Sequence, residues 1–104
     1  MAEHFNGLSP AEAERLTLLA EECAEVIMAI MKIKRHGFES FNPDLATDDD
    51  RGPSNRVSLE REIGHVFMAY QLMLAANDVD PGAVAFSMGV KHGKVGQYLH
   101  HQGV

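Results

Sequence analysis

A chain of 104 residues predicts a single domain, 1–104, near the lower end of what buries a useful core alone. Its composition is 45% hydrophobic, 23% charged and 7% aromatic with no Trp, which excludes a disordered chain and leaves Leu, Ile, Val, Met and Ala to pack the core. A formal charge of −6 argues against nucleic acid as the partner, because a phosphate backbone calls for a basic face.

The single cysteine, Cys23, excludes an internal disulfide and suits a reducing cytoplasm. No cationic segment followed by an apolar one opens the chain, so no signal peptide is expected. Charge interrupts every apolar stretch before the roughly 20 residues a bilayer span requires, so no membrane partner is expected either.

Ser9-Pro10-Ala11-Glu12 predicts the start of a first helix, with Ser9 as cap, Pro10 at the first helical position and Glu12 completing a capping box. No Gly or Pro follows until about Arg35, and Leu16, Leu19, Ala20, Cys23, Ile27, Ile30 and Met31 recur at helical spacing. Lys32, Lys34 and Arg35 suit the C-terminal end of a helix dipole, and Gly37 is the natural stop. Residues 37–55, with Pro43, Gly52, Pro53 and the run Asp48-Asp49-Asp50, predict a long loop of the kind that often binds or covers a ligand. Ser54 or Asn55 caps a second helix running to about Ala76, with Leu59, Ile63, Val66, Phe67, Tyr70 and Leu74 as its stripe. Asn77-Asp78 breaks it. Asp80-Pro81 then opens a third helix, reaching about His100 or ending early near Lys91 because Gly89, Gly93 and Gly96 weaken it.

The fold class is therefore all-α, a bundle of three main helices per chain. Val26, Ala29 and Ile33 continue a row begun by Glu22 beside the main stripe of the first helix, so its C-terminal half is apolar nearly all round. Such a helix needs cover on more than one side, and three helices hardly supply it. The sequence thus predicts a homodimer or homotetramer that pools helices into a bundle of four or more.

Glu22 and Glu25 are three residues apart, which on a helix places them on one face a turn apart. Glu62 and His65 repeat the spacing on the second helix, with Gly64 between them leaving room for close approach. Carboxylates crowded beside apolar residues are costly without a cation. Two facing helices that each offer such a pair form a divalent metal site, and the oxygen-rich donor set favours Mg2+, with Mn2+ as an alternative. The competing interpretation is that acidic residues at this spacing form a solvated face.

The run Leu19-Ala20-Glu21-Glu22-Cys23-Ala24-Glu25-Val26 resembles the Glu-Glu-x-x-Glu motif of the MazG-like all-α NTP pyrophosphohydrolases. Leu59-Glu60-Arg61-Glu62-Ile63-Gly64-His65-Val66 resembles their second motif, in which a Glu is followed three residues later by Asp, and the likeness runs on through Asp80-Pro81 to Lys91. The resemblance implies a four-helix architecture and an Mg2+-dependent enzyme that cleaves an NTP or dNTP to the monophosphate and pyrophosphate. It implies Glu22, Glu25 and Glu62 as metal ligands, with His65 at the fourth position. Glu22 and Glu21 are the catalytic carboxylates, Glu21 as a ligand or as the base that orients the attacking water. Lys91 is implied as a substrate contact.

Two positions depart from the family pattern: His65 replaces its Asp, and Gly89 replaces an Asn two residues before Lys91. A neutral imidazole removes a negative charge and weakens the hold on magnesium. The departures motivate an alternative function, a catalytically impaired nucleotide- or metal-binding module of the same fold. A plain helical oligomerisation module is the third candidate.

Among other residues, Lys34 and Arg35, with Lys32 and His36, are candidates for the substrate phosphates, or else surface charges that complement the helix dipole. Phe38 and Phe41 are expected to anchor the loop in the core, with base stacking as the alternative. Asn55 and Arg56 are read as cap and surface, and Met28, Met31, Met68, Met73 and Met88 as core fillers. His100-His101 receive no role.

Overall fold

A computed structural model of the chain describes residues 6–45 and 52–103. Among these residues the regular structure is helical: α1 (Pro10–His36), α2 (Asn55–Ala75) and α3 (Pro81–Lys94), with 3-10 turns at Pro43–Leu45 and Val95–Gln97. The all-α class and the order of the helices agree with the sequence reading. No helix among the described residues is long and apolar enough to cross a membrane. The Asp48–Asp50 run lies outside the described residues.

Local sequence accounts for most of the helix ends. The Ser9 hydroxyl accepts from the Glu12 amide at 3.1 Å, and the Glu12 carboxylate accepts from the Ser9 amide at 2.8 Å, closing the capping box. Gly37 ends α1 with a positive φ of 88°, its amide bonded to the Ile33 carbonyl at 2.7 Å. At α2 the cap is Ser54, whose hydroxyl accepts from the Val57 amide. The C-terminal end of α2 is a Schellman motif: Asn77 takes the left-handed conformation (φ 62°), the Asp78 amide bonds to Met73 and the Asn77 amide to Leu74. Asp80 caps α3 through the Ala83 amide at 2.7 Å. α3 stops at Lys94, retaining Gly89 and Gly93 and excluding Gly96.

The chain divides into two compact units, Met1–Leu72 and Met73–Val104. In the first, α1 and the start of α2 run antiparallel, with Glu22 beside His65 while Lys32 shares a cavity with Asn55 and Ser58. The seam consists of Glu22, Val26, Ala29 and Ile33 from α1 and Leu59, Glu62, Val66 and Ala69 from α2, all buried or half-buried. The stripe through Leu16, Ile27 and Ile30 takes no part in this seam. Apart from Leu19 that stripe is exposed, Ile27 at 61%, and Phe67 on α2 at 62%. The reason is physical. A helix apolar on nearly its whole circumference announces its period but not which side meets its neighbour, and α2 takes the side that carries Glu22.

Other core assignments change with it. Met28, Met31, Met68 and Met88 are exposed, and Met73 alone of the five is buried. Phe38 is no core anchor. Its ring is exposed and carries the Arg56 guanidinium 4.3 Å from its centroid. A Cβ on Gly64 would meet nothing within 4 Å, so no close approach in the described residues requires glycine there.

Candidate metal centre

Because Glu22/Glu25 and Glu62/His65 stand one turn apart on antiparallel helices, the seam brings all four side chains to one place. Each offers one ligand atom, a carboxylate oxygen or an imidazole nitrogen, and the four atoms lie within 4.8 Å of one another. His65 Nδ1 is 3.4 Å from Glu22 Oε2 and 3.4 Å from Glu62 Oε2, close enough for attraction but not aligned as hydrogen bonds.

Burial differs across the group. The Glu22 and Glu62 side chains are 15% and 20% exposed, and the Oε2 atom of each is buried without a hydrogen-bond partner. Glu25 stands at the open mouth. A hydrogen bond that the protonated Glu25 carboxyl donates to Glu62, together with the negative charges of Glu22 and Glu62, pushes its carboxyl above the ordinary glutamate range, and His65 opposes this. Two inward carboxylate oxygens without a donor, beside a third carboxylate that holds its proton more tightly, are a set that a cation would satisfy. Three carboxylates and one imidazole fit Mg2+ or Mn2+, the imidazole being better tolerated by Mn2+.

No family model, curated protein or solved structure matches this chain.

The remaining candidates are placed as follows. Glu21 is turned about 100° round α1 from Glu22. It is exposed and lines a separate surface groove with Arg15, Thr17 and Leu18, outside the four-residue group. Arg35 lines a pocket of about 400 Å3 at the end of α1 with Lys32 and His36, and Lys34 is not among its lining residues. The spacing 32, 35, 36 is one helical face, a signal present in the sequence. Lys91 is on α3, in the second unit, with its ammonium 5.8 Å from the Tyr98 ring centroid.

Asn55 and Ser58 were not read as site residues. They line the pocket at the end of α1 and also a cavity of about 380 Å3 that contains Glu25, Glu62 and Lys32. Nothing in the local sequence marks them, because their position depends on how the loop after α1 folds back onto α2.

Proposed function

We propose that this protein is a metal-dependent nucleoside triphosphate pyrophosphohydrolase of the MazG-like type, acting in the cytoplasm. The observation that carries the proposal is the convergence of Glu22, Glu25, Glu62 and His65 within 4.8 Å, with two buried carboxylate oxygens unpaired. The order and spacing of the two motifs supply the reaction class. Glu22, Glu25, Glu62 and His65 would hold a divalent ion, which would supply charge neutralisation for the phosphates and a lowered pKa for water.

The chain's own side chains divide the work. Glu22 and Glu62, the two least exposed carboxylates of the group, set the position of the site. Glu25 faces the open mouth and is the carboxylate most accessible to the proton of the attacking water. Glu21, which the resemblance casts as that base, lines the neighbouring groove and receives no step. Lys32 shares the cavity of Glu25 and Glu62 and places a positive charge beside the phosphates. Water attack breaks the α–β anhydride bond, leaving the nucleoside monophosphate and pyrophosphate.

The exposed row of Ile27, Met28 and Met31 on α1 and the exposed Phe67 on α2 support self-association, as a homodimer or homotetramer. The test of function is incubation with a panel of ribo- and deoxynucleoside triphosphates in Mg2+ or Mn2+. Release of pyrophosphate and monophosphate is the expected outcome, and no turnover of any nucleotide by folded protein contradicts it.

One observation favours the second reading, a binding module without turnover. His65 Nδ1 lies 3.4 Å from each of the two carboxylate oxygens that lack a hydrogen-bond partner. An imidazole N–H there competes with the metal for the same atoms. Under this reading His65→Asp creates activity that the natural chain lacks. Under the enzyme reading it raises an activity already present.

A further inference from the structure

The pocket beside the acidic cluster has a composition unlike the rest of the chain. In a protein with 15 acidic and 9 basic residues, its lining includes Lys32, Arg35 and His36 and no carboxylate. Phe41, Asn42, Pro43 and Pro53 also line it. It adjoins the cavity of Glu25 and Glu62, with Lys32, Asn55 and Ser58 common to the two.

The wall is built rather than incidental. The Asn55 amide bonds to the Ser40 carbonyl at 2.7 Å and the Arg56 amide to the Phe38 carbonyl at 2.8 Å, while Arg56 pairs with Glu39 at 2.7 Å. The Asn55 side-chain nitrogen donates to the Gly37 carbonyl at 3.1 Å, which leaves its oxygen as the atom Asn55 offers a ligand. These contacts hold the 37–41 segment against the start of α2 before any ligand arrives.

Which end of a phosphorylated molecule fits follows from the same contacts. A phosphate nest needs backbone amides, and the first four of α2 are spent on Ser40, Phe38 and Ser54. The C-terminal end of α1 adds about half a negative charge at the far side of the pocket. An aromatic ring, a guanidinium that stacks on planar groups and an amide oxygen suit a nucleobase, whose N–H or amino edge needs an acceptor. Along α1, Lys32 stands about 10 Å from Glu25 and Arg35 about 15 Å, at 1.5 Å per residue. That places Lys32 at the junction between phosphates and base.

We infer that this pocket is the nucleobase subsite: the ring lies between Phe41 and Arg35, the Asn55 oxygen accepts from its edge, and Lys32 meets the phosphate nearest the sugar. The inference rests on the nucleotide reading above and fixes the direction in which the substrate lies.

The test is an NMR titration of the full chain with AMP, CMP, GMP and UMP, and separately with inorganic pyrophosphate, first in EDTA and then in Mg2+. At least one monophosphate is expected to shift the amides of Arg35, His36, Phe41, Asn42 and Asn55 without metal, while pyrophosphate leaves them in place. Phe41→Leu, which keeps bulk and removes the aromatic face, weakens that monophosphate by about tenfold with circular dichroism unchanged. Arg35→Ala does the same from the exposed helix side. Shifts confined to other residues, or pyrophosphate moving the same amides as strongly, overturn the assignment. Monophosphate binding here without hydrolysis of any triphosphate sinks the enzyme reading and leaves the subsite standing. Hydrolysis with shifts elsewhere does the reverse.

Discussion

Removing one buried carboxylate charge should stabilise the metal-free protein and abolish its response to metal. Glu22 and Glu62 present oxygens no more than 4.8 Å apart. Two unit charges at that distance repel by about 1 kcal/mol in bulk water and about 3.5 kcal/mol at an effective dielectric of 20. With the two side chains 15% and 20% exposed, screening is partial and the relief from Glu62→Gln is about 1–3 kcal/mol. For a domain of this size each kcal/mol moves the melting temperature by about 5 °C.

Magnesium at a hundredfold excess over its Kd adds about 2.7 kcal/mol to the natural chain and nothing to a variant that has lost the site. Thermal melts followed by circular dichroism at pH 8, where imidazole is ordinarily neutral, give four curves: each protein in EDTA and in Mg2+. The expected order is that Glu62→Gln melts above the natural chain in EDTA, and that magnesium closes or reverses the gap. A variant less stable in EDTA, together with a natural chain indifferent to magnesium and manganese, refutes the reasoning. It would make the cluster a structural contact between the carboxylates and the His65 imidazole.

His65→Asp replaces the imidazole with a hard oxygen donor, so magnesium affinity by calorimetry should rise about tenfold, at a cost in stability without metal; unchanged affinity places His65 outside the ligand set. In EDTA, the stability difference between the natural chain and Glu25→Gln should depend on pH. The raised Glu25 carboxyl binds its proton more tightly in the folded state, so its contribution is present at low pH and lost as pH rises through the raised value. Saturating magnesium should flatten that difference, and a pH-independent difference in EDTA contradicts the assigned environment. Ile27→Asp should lower the mass measured by light scattering, because it puts a charge on the exposed apolar face of α1; a natural chain that is already monomeric removes the self-association claim.

The ends of the helices were legible because caps are local. Ser9 with Glu12, Asp80 with Pro81, and Gly37 each act within a few residues of chain, where sequence spacing and geometry coincide. The four-residue cluster was legible for a related reason: i, i+3 pairs stay together on any helix, and only the facing of two helices had to be supplied. What failed was azimuth. Leu16, Ile27 and Ile30 look like a core stripe until Glu22, Val26, Ala29 and Ile33 are seen to take the seam. The pocket at the end of α1 was illegible because its wall depends on bonds from Asn55 and Arg56 back to Phe38 and Ser40, contacts between distant positions that no local pattern encodes. Of the basic residues at the end of α1, Lys32 shares a helical face with Arg35 and His36 and lines the pocket with them.

The most direct test of the central claim is phosphorus NMR of a nucleoside triphosphate panel incubated with the natural chain and with Glu25→Ala, in Mg2+ and in EDTA. The account requires monophosphate and pyrophosphate resonances to grow with the natural chain in Mg2+, and neither to grow with the variant or in EDTA. No product from any nucleotide, or a diphosphate with inorganic phosphate in their place, contradicts it.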